Sequence, residues 1–158
     1  MSKIIILIAV LLIIFFAYQR MATTKKLSAE NLAKGADFLI ANKEKEGVKE
    51  TSTGLQYLVL NEGSGDKHPA ATDTVSVHYH GTLLDGSVFD SSVERGEPLA
   101  FGLHQVIPGW TEGLQLMVVG EKTRLFIPSN LAYGNRGAGS IAPGSVLIFD
   151  VELLAINP

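Results

Sequence analysis

Residues 74–92 read TVSVHYHGTLLDGSVFDSS, and the pattern of this stretch decides the fold. From Thr74 to His80, Val75, Val77 and Tyr79 fall on one face and Ser76, His78 and His80 on the other. A period of two with one apolar face belongs to a strand lying against a core. Asp85-Gly86 then marks a tight turn. The same texture of short strands and turns extends outward, beginning at Thr53. Leu55 to Leu60 predicts a strand and Gly63 to Ala71 a loop, while Leu116 to Ile127 and Val146 to Ala155 predict the two longest strands. In the last of these, Leu147, Phe149, Val151 and Leu153 alternate with Asp150 and Glu152. Pro108 to Gln115, PGWTEGLQ, predicts a short helix with proline in its first turn. The plan is α+β, an antiparallel β-sheet packed on one short α-helix.

The chain has 158 residues, enough for one ordinary domain and an appendage. Its hydrophobic content of 46% is uneven, with much of it before Gln19. A formal charge of -3 leaves no basic footprint and argues against nucleic acid as a main partner. The chain has no cysteine, which excludes disulfides, thiolate nucleophiles, cysteine-based metal sites and lipoprotein attachment. His78 and His80 share a strand face, but no third ligand accompanies them, so they read as structural or surface histidines rather than a metal pair. The glycine-rich Gly134 to Gly139 is followed by no Gly-Lys-Ser/Thr and reads as a flexible loop, not a phosphate cradle.

Ile4 to Tyr18, IIILIAVLLIIFFAY, carries no charge. As a helix it covers about 22 Å, short of the ~30 Å hydrocarbon core and between a signal-peptide core and a spanning helix. A small-x-small cleavage site fails on Arg20 two residues before Ala22 and on Phe15 two before Ala17, so an uncleaved membrane anchor is expected. Arg20, Lys25 and Lys26 follow the apolar run, against Lys3 before it; alone, they favour a cytoplasmic domain. Leu27 to Gly47 predicts a second, amphipathic helix, with Ser28 as its cap, Glu30 in its first turn and Gly47 just past its end. Leu32, Ala36, Leu39 and Lys43 share a face, flanked by Phe38 and Ile40. So lightly apolar a helix is a plain spacer or the seam of a weak homodimer. The expected organisation is a hydrophobic anchor at 1–20, a helical stalk at 21–51 and a globular domain at 52–158.

Six motifs then occur in order. Val77-His78-Tyr79-His80-Gly81, Leu84-Asp85-Gly86 and Phe89-Asp90-Ser91-Ser92 are followed by Val106-Ile107-Pro108-Gly109-Trp110, Ala132-Tyr133-Gly134 and Phe149-Asp150-Val151-Glu152-Leu153. Together, over about Gly54 to Ile156, they resemble the FKBP-type peptidyl-prolyl cis-trans isomerases. The preceding helix and the Thr53-Gly54-Leu55-Gln56-Tyr57 entry are similar to the bacterial Mip-like and FkpA-like exported members. The resemblance implies a twisted sheet wrapped around the short helix, with an apolar pocket between them. Trp110 would form its floor and Tyr79, Phe89, Val106, Ile107 and Phe149 its walls. Asp90 and Tyr133 would be the polar, catalytic groups, and Ile107 would offer its backbone N–H. It also implies X-Pro-containing polypeptides as substrates, no cofactor or metal, and macrocycles of the rapamycin type as inhibitors. The expected location is anchored in the inner membrane with the domain facing the periplasm, against the flanking charges. Leu99 stands where the family usually has an aromatic residue, leaving a smaller wall. The Leu103 to Val106 stretch is two residues shorter, and no histidine occurs in Gly134 to Pro143. These departures touch the rim. A binding module or chaperone of the same fold without turnover is the alternative.

The residue types suit the implied chemistry. Rotation about an X-Pro bond meets a barrier near ~20 kcal/mol because it destroys amide resonance, and no bond breaks. The twisted amide has a less polar carbonyl than the planar one. An apolar pocket therefore penalises the ground state more than the transition state. Asp90 is expected to bias that carbonyl or orient the pocket, with Arg95 as its partner.

Overall fold

The computed structural model describes residues 2–158, with side chains from residue 6 onward. It opens with one helix, α1 (Ser2–Asn42). The two expected N-terminal helices are thus a single element, and Ser28 lies inside it instead of capping a second start. No glycine or proline stands between Gln19 and Leu27 to interrupt the backbone hydrogen bonds. The chain leaves the helix through a turn at Lys43 to Gly47, where Gly47 takes φ +79°.

The remaining elements are β1 (Lys49–Glu50), β2 (Gln56–Asn61), β3 (Thr74–Thr82), β4 (Val88–Ser91), α2 (Ser92–Arg95), β5 (Leu99–Gly102), α3 (Pro108–Gln115), β6 (Lys122–Ile127) and β7 (Leu147–Ile156). The strands form one sheet in the order β1-β2-β6-β7-β3-β4, with β5 also on β3. Every pairing is antiparallel. One edge of β3 serves two strands: His80 to Thr82 pair with β4, and Thr74 to Val77 pair with β5. The excursion between them carries α2.

The expected alternation holds. Val75, Val77 and Tyr79 in β3, and Leu147, Phe149, Val151 and Leu153 in β7, are buried on one face. Helix α3 lies on that face. A Cβ on Gly109 would come within 2.4 Å of Ile127, and one on Gly113 within 2.7 Å of Leu125. These two glycines, one turn apart, let the helix backbone rest on β6. The long strand expected from Leu116 is confined to Lys122–Ile127, because Leu116 ends α3 and Gly120 turns the chain at φ +85°. Hydropathy alone does not separate a buried turn from a strand.

Helix α1 is no free spacer. Its buried face runs through Ser28, Gly35 and Asn42, with Asn31, Phe38 and Leu39 half-buried, while Leu32 and Ile40 of the expected apolar stripe remain 43% and 61% exposed. Its fully buried positions are small or amide side chains, so its hydropathy signature is weak. Asn42 Nδ2 donates to Gln56 Oε1 at 2.9 Å, and Gln56 Nε2 donates to the Leu39 carbonyl at 2.8 Å. Phe38 meets Phe126 at 5.9 Å between ring centroids. Farther toward the N-terminus, the apolar residues from Ile6 to Tyr18 are exposed. By length and composition Ile6–Asn42 is able to cross a membrane, its most apolar window having a mean hydropathy of 2.0 with none of it buried.

Candidate functional site

A cleft of about 770 Å³ opens between α3 and the sheet. All eight residues expected at the site line it: Tyr79, Phe89, Asp90, Val106, Ile107, Trp110, Tyr133 and Phe149. They come from β3, β4, the turn before α3, α3 itself, the loop after β6, and β7. Trp110 sits in the first turn of α3 and is 4% exposed. Three rings meet it edge-on: Tyr79 at 5.2 Å, Phe149 at 5.2 Å and Phe101 at 5.6 Å. Phe89 meets Phe149 at 5.2 Å with the planes at 89°. Edge-to-face pairs of this kind contribute roughly 0.5–1.5 kcal/mol each beyond area burial. Gly81, opposite Phe149 in the ladder, makes the cluster possible. A Cβ there would stand 2.6 Å from Phe89 and 2.8 Å from Phe149. The Trp110 indole nitrogen is buried without a hydrogen-bond partner, a donor whose desolvation costs on the order of 1–3 kcal/mol.

Asp90 carries the site's negative charge. Tyr79 Oη donates to its Oδ2 at 2.6 Å, and Arg95 Nη1 donates to its Oδ1. Arg95 Nη2 also donates to Tyr79 Oη at 2.8 Å, closing a three-residue ring of hydrogen bonds. The guanidinium lies 5.7 Å from the Tyr79 ring centroid. Partial burial pushes the Asp90 carboxyl up, but the bonds from Tyr79 and Arg95 outweigh it and hold the group below the usual carboxylate range. Burial, and then the bond to Asp90, raise the Tyr79 phenol above its ordinary value.

The four-residue helix α2 presents Arg95. Ser91 caps it by accepting from the Glu94 N–H at 3.1 Å, and Gly96 closes it at φ +74°. Ser92 Oγ accepts from the Tyr79 N–H at 2.8 Å, stitching α2 to β3. His78 and His80, on the outer face, place Nδ1 3.1 Å and 3.0 Å from the hydroxyls of Ser92 and Ser91. Among the described residues, no group of three or more His, Cys, Asp or Glu side chains is arranged to hold a metal.

Ile107 precedes α3, and its N–H takes no acceptor among the turn, loop and cap hydrogen bonds of the described residues. Tyr133 is 42% exposed at the rim. Phe101 lines the cleft, whereas Leu99 packs into the core and does not line it. Leu99 therefore forms no part of the wall; Phe101, two residues on and in phase, is the aromatic residue of this strand that lines the cleft. That phase was the available signal. Gln105 and Ala138 to Ile141 also line the cleft and had no such signal. The Gly134 to Gly139 loop expected from the sequence forms, with the residues up to Gly144, a hairpin closed by backbone hydrogen bonds. Ala138 and Ile141 exchange both backbone bonds at 2.9 Å and 2.8 Å, and Gly144 N–H donates to the Gly134 carbonyl at 2.9 Å. Its glycines serve positive-φ positions within that hairpin.

Residues 65–154 match the family model described as FKBP-type peptidyl-prolyl cis-trans isomerase, and residues 10–59 match the domain amino terminal to it. An Aeromonas hydrophila protein named FKBP-type peptidyl-prolyl cis-trans isomerase FkpA is 62% identical over 136 residues, 86% of this chain and 50% of that protein. The outer membrane protein MIP of Legionella longbeachae is 48% identical over 140 residues, 88% of this chain and 60% of that one. The crystal structure of FkpA from Escherichia coli superposes with a TM-score of 0.88 at 47% identity, covering 96% of this chain and 72% of that one. This chain spans about half to 60% of the length of these two curated relatives.

Proposed function

The chain belongs to the FKBP-type peptidyl-prolyl cis-trans isomerase family, and from that premise we propose that it accelerates rotation about X-Pro bonds in folding polypeptides. The observation that carries the reading is the aromatic cleft floored by Trp110, with Asp90 at one side and the Ile107 N–H at another. The proline ring sits against Trp110, Phe89 and Phe149, where water is excluded. The planar amide loses more hydration there than the twisted one, and that difference lowers the barrier. The Ile107 N–H holds a neighbouring carbonyl, and the Tyr133 hydroxyl guides the peptide at the rim. Asp90, anchored by Tyr79 and Arg95, acts on the twisted carbonyl as a fixed charge and needs no proton transfer. The full chain in detergent should speed cis-to-trans conversion of an X-Pro peptide in a protease-coupled assay, and a rapamycin-type macrocycle should inhibit it. Tight proline-peptide binding with no acceleration would turn the assignment to a binding module.

The same reading covers organisation and place. Residues 1–20 anchor the chain in the inner membrane, 21–51 link it, and 52–158 form the isomerase unit facing the periplasm. The exposed apolar residues from Ile6 to Tyr18 favour lipid as their surroundings, and relatives named FkpA and outer membrane protein MIP favour the cell envelope. Protease added to spheroplasts should digest the domain while the chain fractionates with membranes. A protected domain would place it in the cytoplasm, as the charges after the apolar run favour. A soluble product starting after Tyr18 would mean a cleaved signal.

A further inference from the structure

We propose that Asn31 and Gly35 of α1 are positioning residues for the cleft, setting its 138–141 wall through the base of the 134–146 loop. The inference rests on the reading of the cleft as the proline site. The tip of that loop, Ala138 to Ile141, lines the cleft, and its base is held by successive turns of α1. Ser28 Oγ donates to Asn135 Oδ1 at 3.0 Å, and Asn31 Nδ2 donates to the Pro143 carbonyl at 2.8 Å. A Cβ on Gly35 would stand 2.7 Å from Val146, so the helix backbone lies directly on the residue leading into β7. Gly144 is equally close from the other side: a Cβ there would be 2.6 Å from the Ser28 carbonyl. The backbone bond from Gly144 to Gly134 then closes the loop above this contact. A shift of the base would be carried to the tip through the Gly144–Gly134 bond and the paired Ala138–Ile141 bonds beyond it. The helix face is therefore part of how the cleft is shaped, although none of its residues lines it.

The chain's single tryptophan, Trp110, reports on this coupling because it floors the cleft. Full-length chain in detergent is compared with Asn31→Ala and Gly35→Leu, using Glu30→Ala on the exposed side of the helix as control. Both test variants should raise KM for an X-Pro peptide roughly three- to tenfold, the range of one lost hydrogen bond or contact. kcat should stay within about twofold, acrylamide quenching of Trp110 should increase, and the unfolding midpoint of Asn31→Ala should move little. Unchanged KM and quenching in both variants would overturn the proposal. So would a fall in apparent kcat at unchanged KM in proportion to the unfolded fraction, which marks a merely structural contact. If the wild-type chain shows no turnover, the functional reading fails, and Trp110 quenching with peptide binding still decides the coupling.

Discussion

Asp90→Ala should lower kcat/KM for an X-Pro peptide by roughly 10- to 100-fold, about 1.4–2.7 kcal/mol of transition-state stabilisation. The fold survives the change. Asp90 lies on the edge strand β4, partly open to solvent, and water replaces the partners that Tyr79 and Arg95 lose. A cost of about 1 kcal/mol is expected, a shift of less than ~8 °C in Tm for a domain of this size. On the proposed mechanism the charge is what the rate requires. Because its folded pKa is lowered, Asp90 is ionised at every pH above the ordinary aspartate value of about 3.9; its contribution to stability is lost as pH falls from that value through the lower folded one, and its contribution to rate fades at the folded value. Tyr79 is raised, so its phenol keeps its proton past the ordinary value near 10. The wild-type rate profile should therefore show no inflection from either group between about pH 5 and 9. Full activity in Asp90→Ala would remove this residue from the site. An inflection near neutrality that vanishes with Asp90→Ala would contradict the lowered carboxyl.

The site residues were legible through the six ordered motifs and the family they resemble, and periodicity alone reached only part of the site. In β3 and β7 the period of two assigns Tyr79 and Phe149 to the inner face with no further information, and Pro108 fixes the start of the helix that carries Trp110. The pairing of Asp90 with Arg95 was legible too, being local. Other parts left no such mark. Strands β1, β4 and β5 are too short to display a period. Phe101 and Leu99 share a face of the four-residue β5, so phase alone does not say which of them reaches the cleft. The docked face of α1 was missed for a different reason: its buried positions are Ser28, Gly35 and Asn42, with Asn31 half-buried beside them. Hydropathy looks for leucines there, and this interface depends on the absence of side chain at Gly35 and on two amides. The wall from Ala138 to Ile141 is a hairpin tip whose place is set by contacts more than a hundred residues away in sequence, such as Asn31 with Pro143.

Phe149→Ala removes about 3–5 kcal/mol of stability, the range for a buried phenylalanine truncated to alanine. The ring is 6% exposed and joins the cleft to the core. It meets Phe89 and Trp110 at 5.2 Å and Tyr79 at 6.2 Å, and its backbone pairs with Gly81 on one side and Leu125 on the other. Gly81 decides how the loss is felt. With no side chain directly opposite at Gly81, the facing position on β3 has nothing to fill the vacated volume, so much of the cavity persists and adds to the transfer cost. Water entering from the open side of the cleft relieves part of this and places the expected value toward 3 kcal/mol. Against a total of roughly 5–15 kcal/mol for an ordinary domain, that is a large share. In urea the midpoint should fall with the slope unchanged, because the surface exposed on unfolding is nearly the same. Phe149→Leu keeps most of the volume and should cost less than about 1.5 kcal/mol. Activity should separate the two roles of the ring. Under conditions where Phe149→Ala is still folded, turnover should remain well below wild type, since Phe89 and Trp110 have lost the surface they share. A destabilisation below about 1 kcal/mol, or wild-type turnover by the folded variant, would mean the aromatic cluster does not act as one wall.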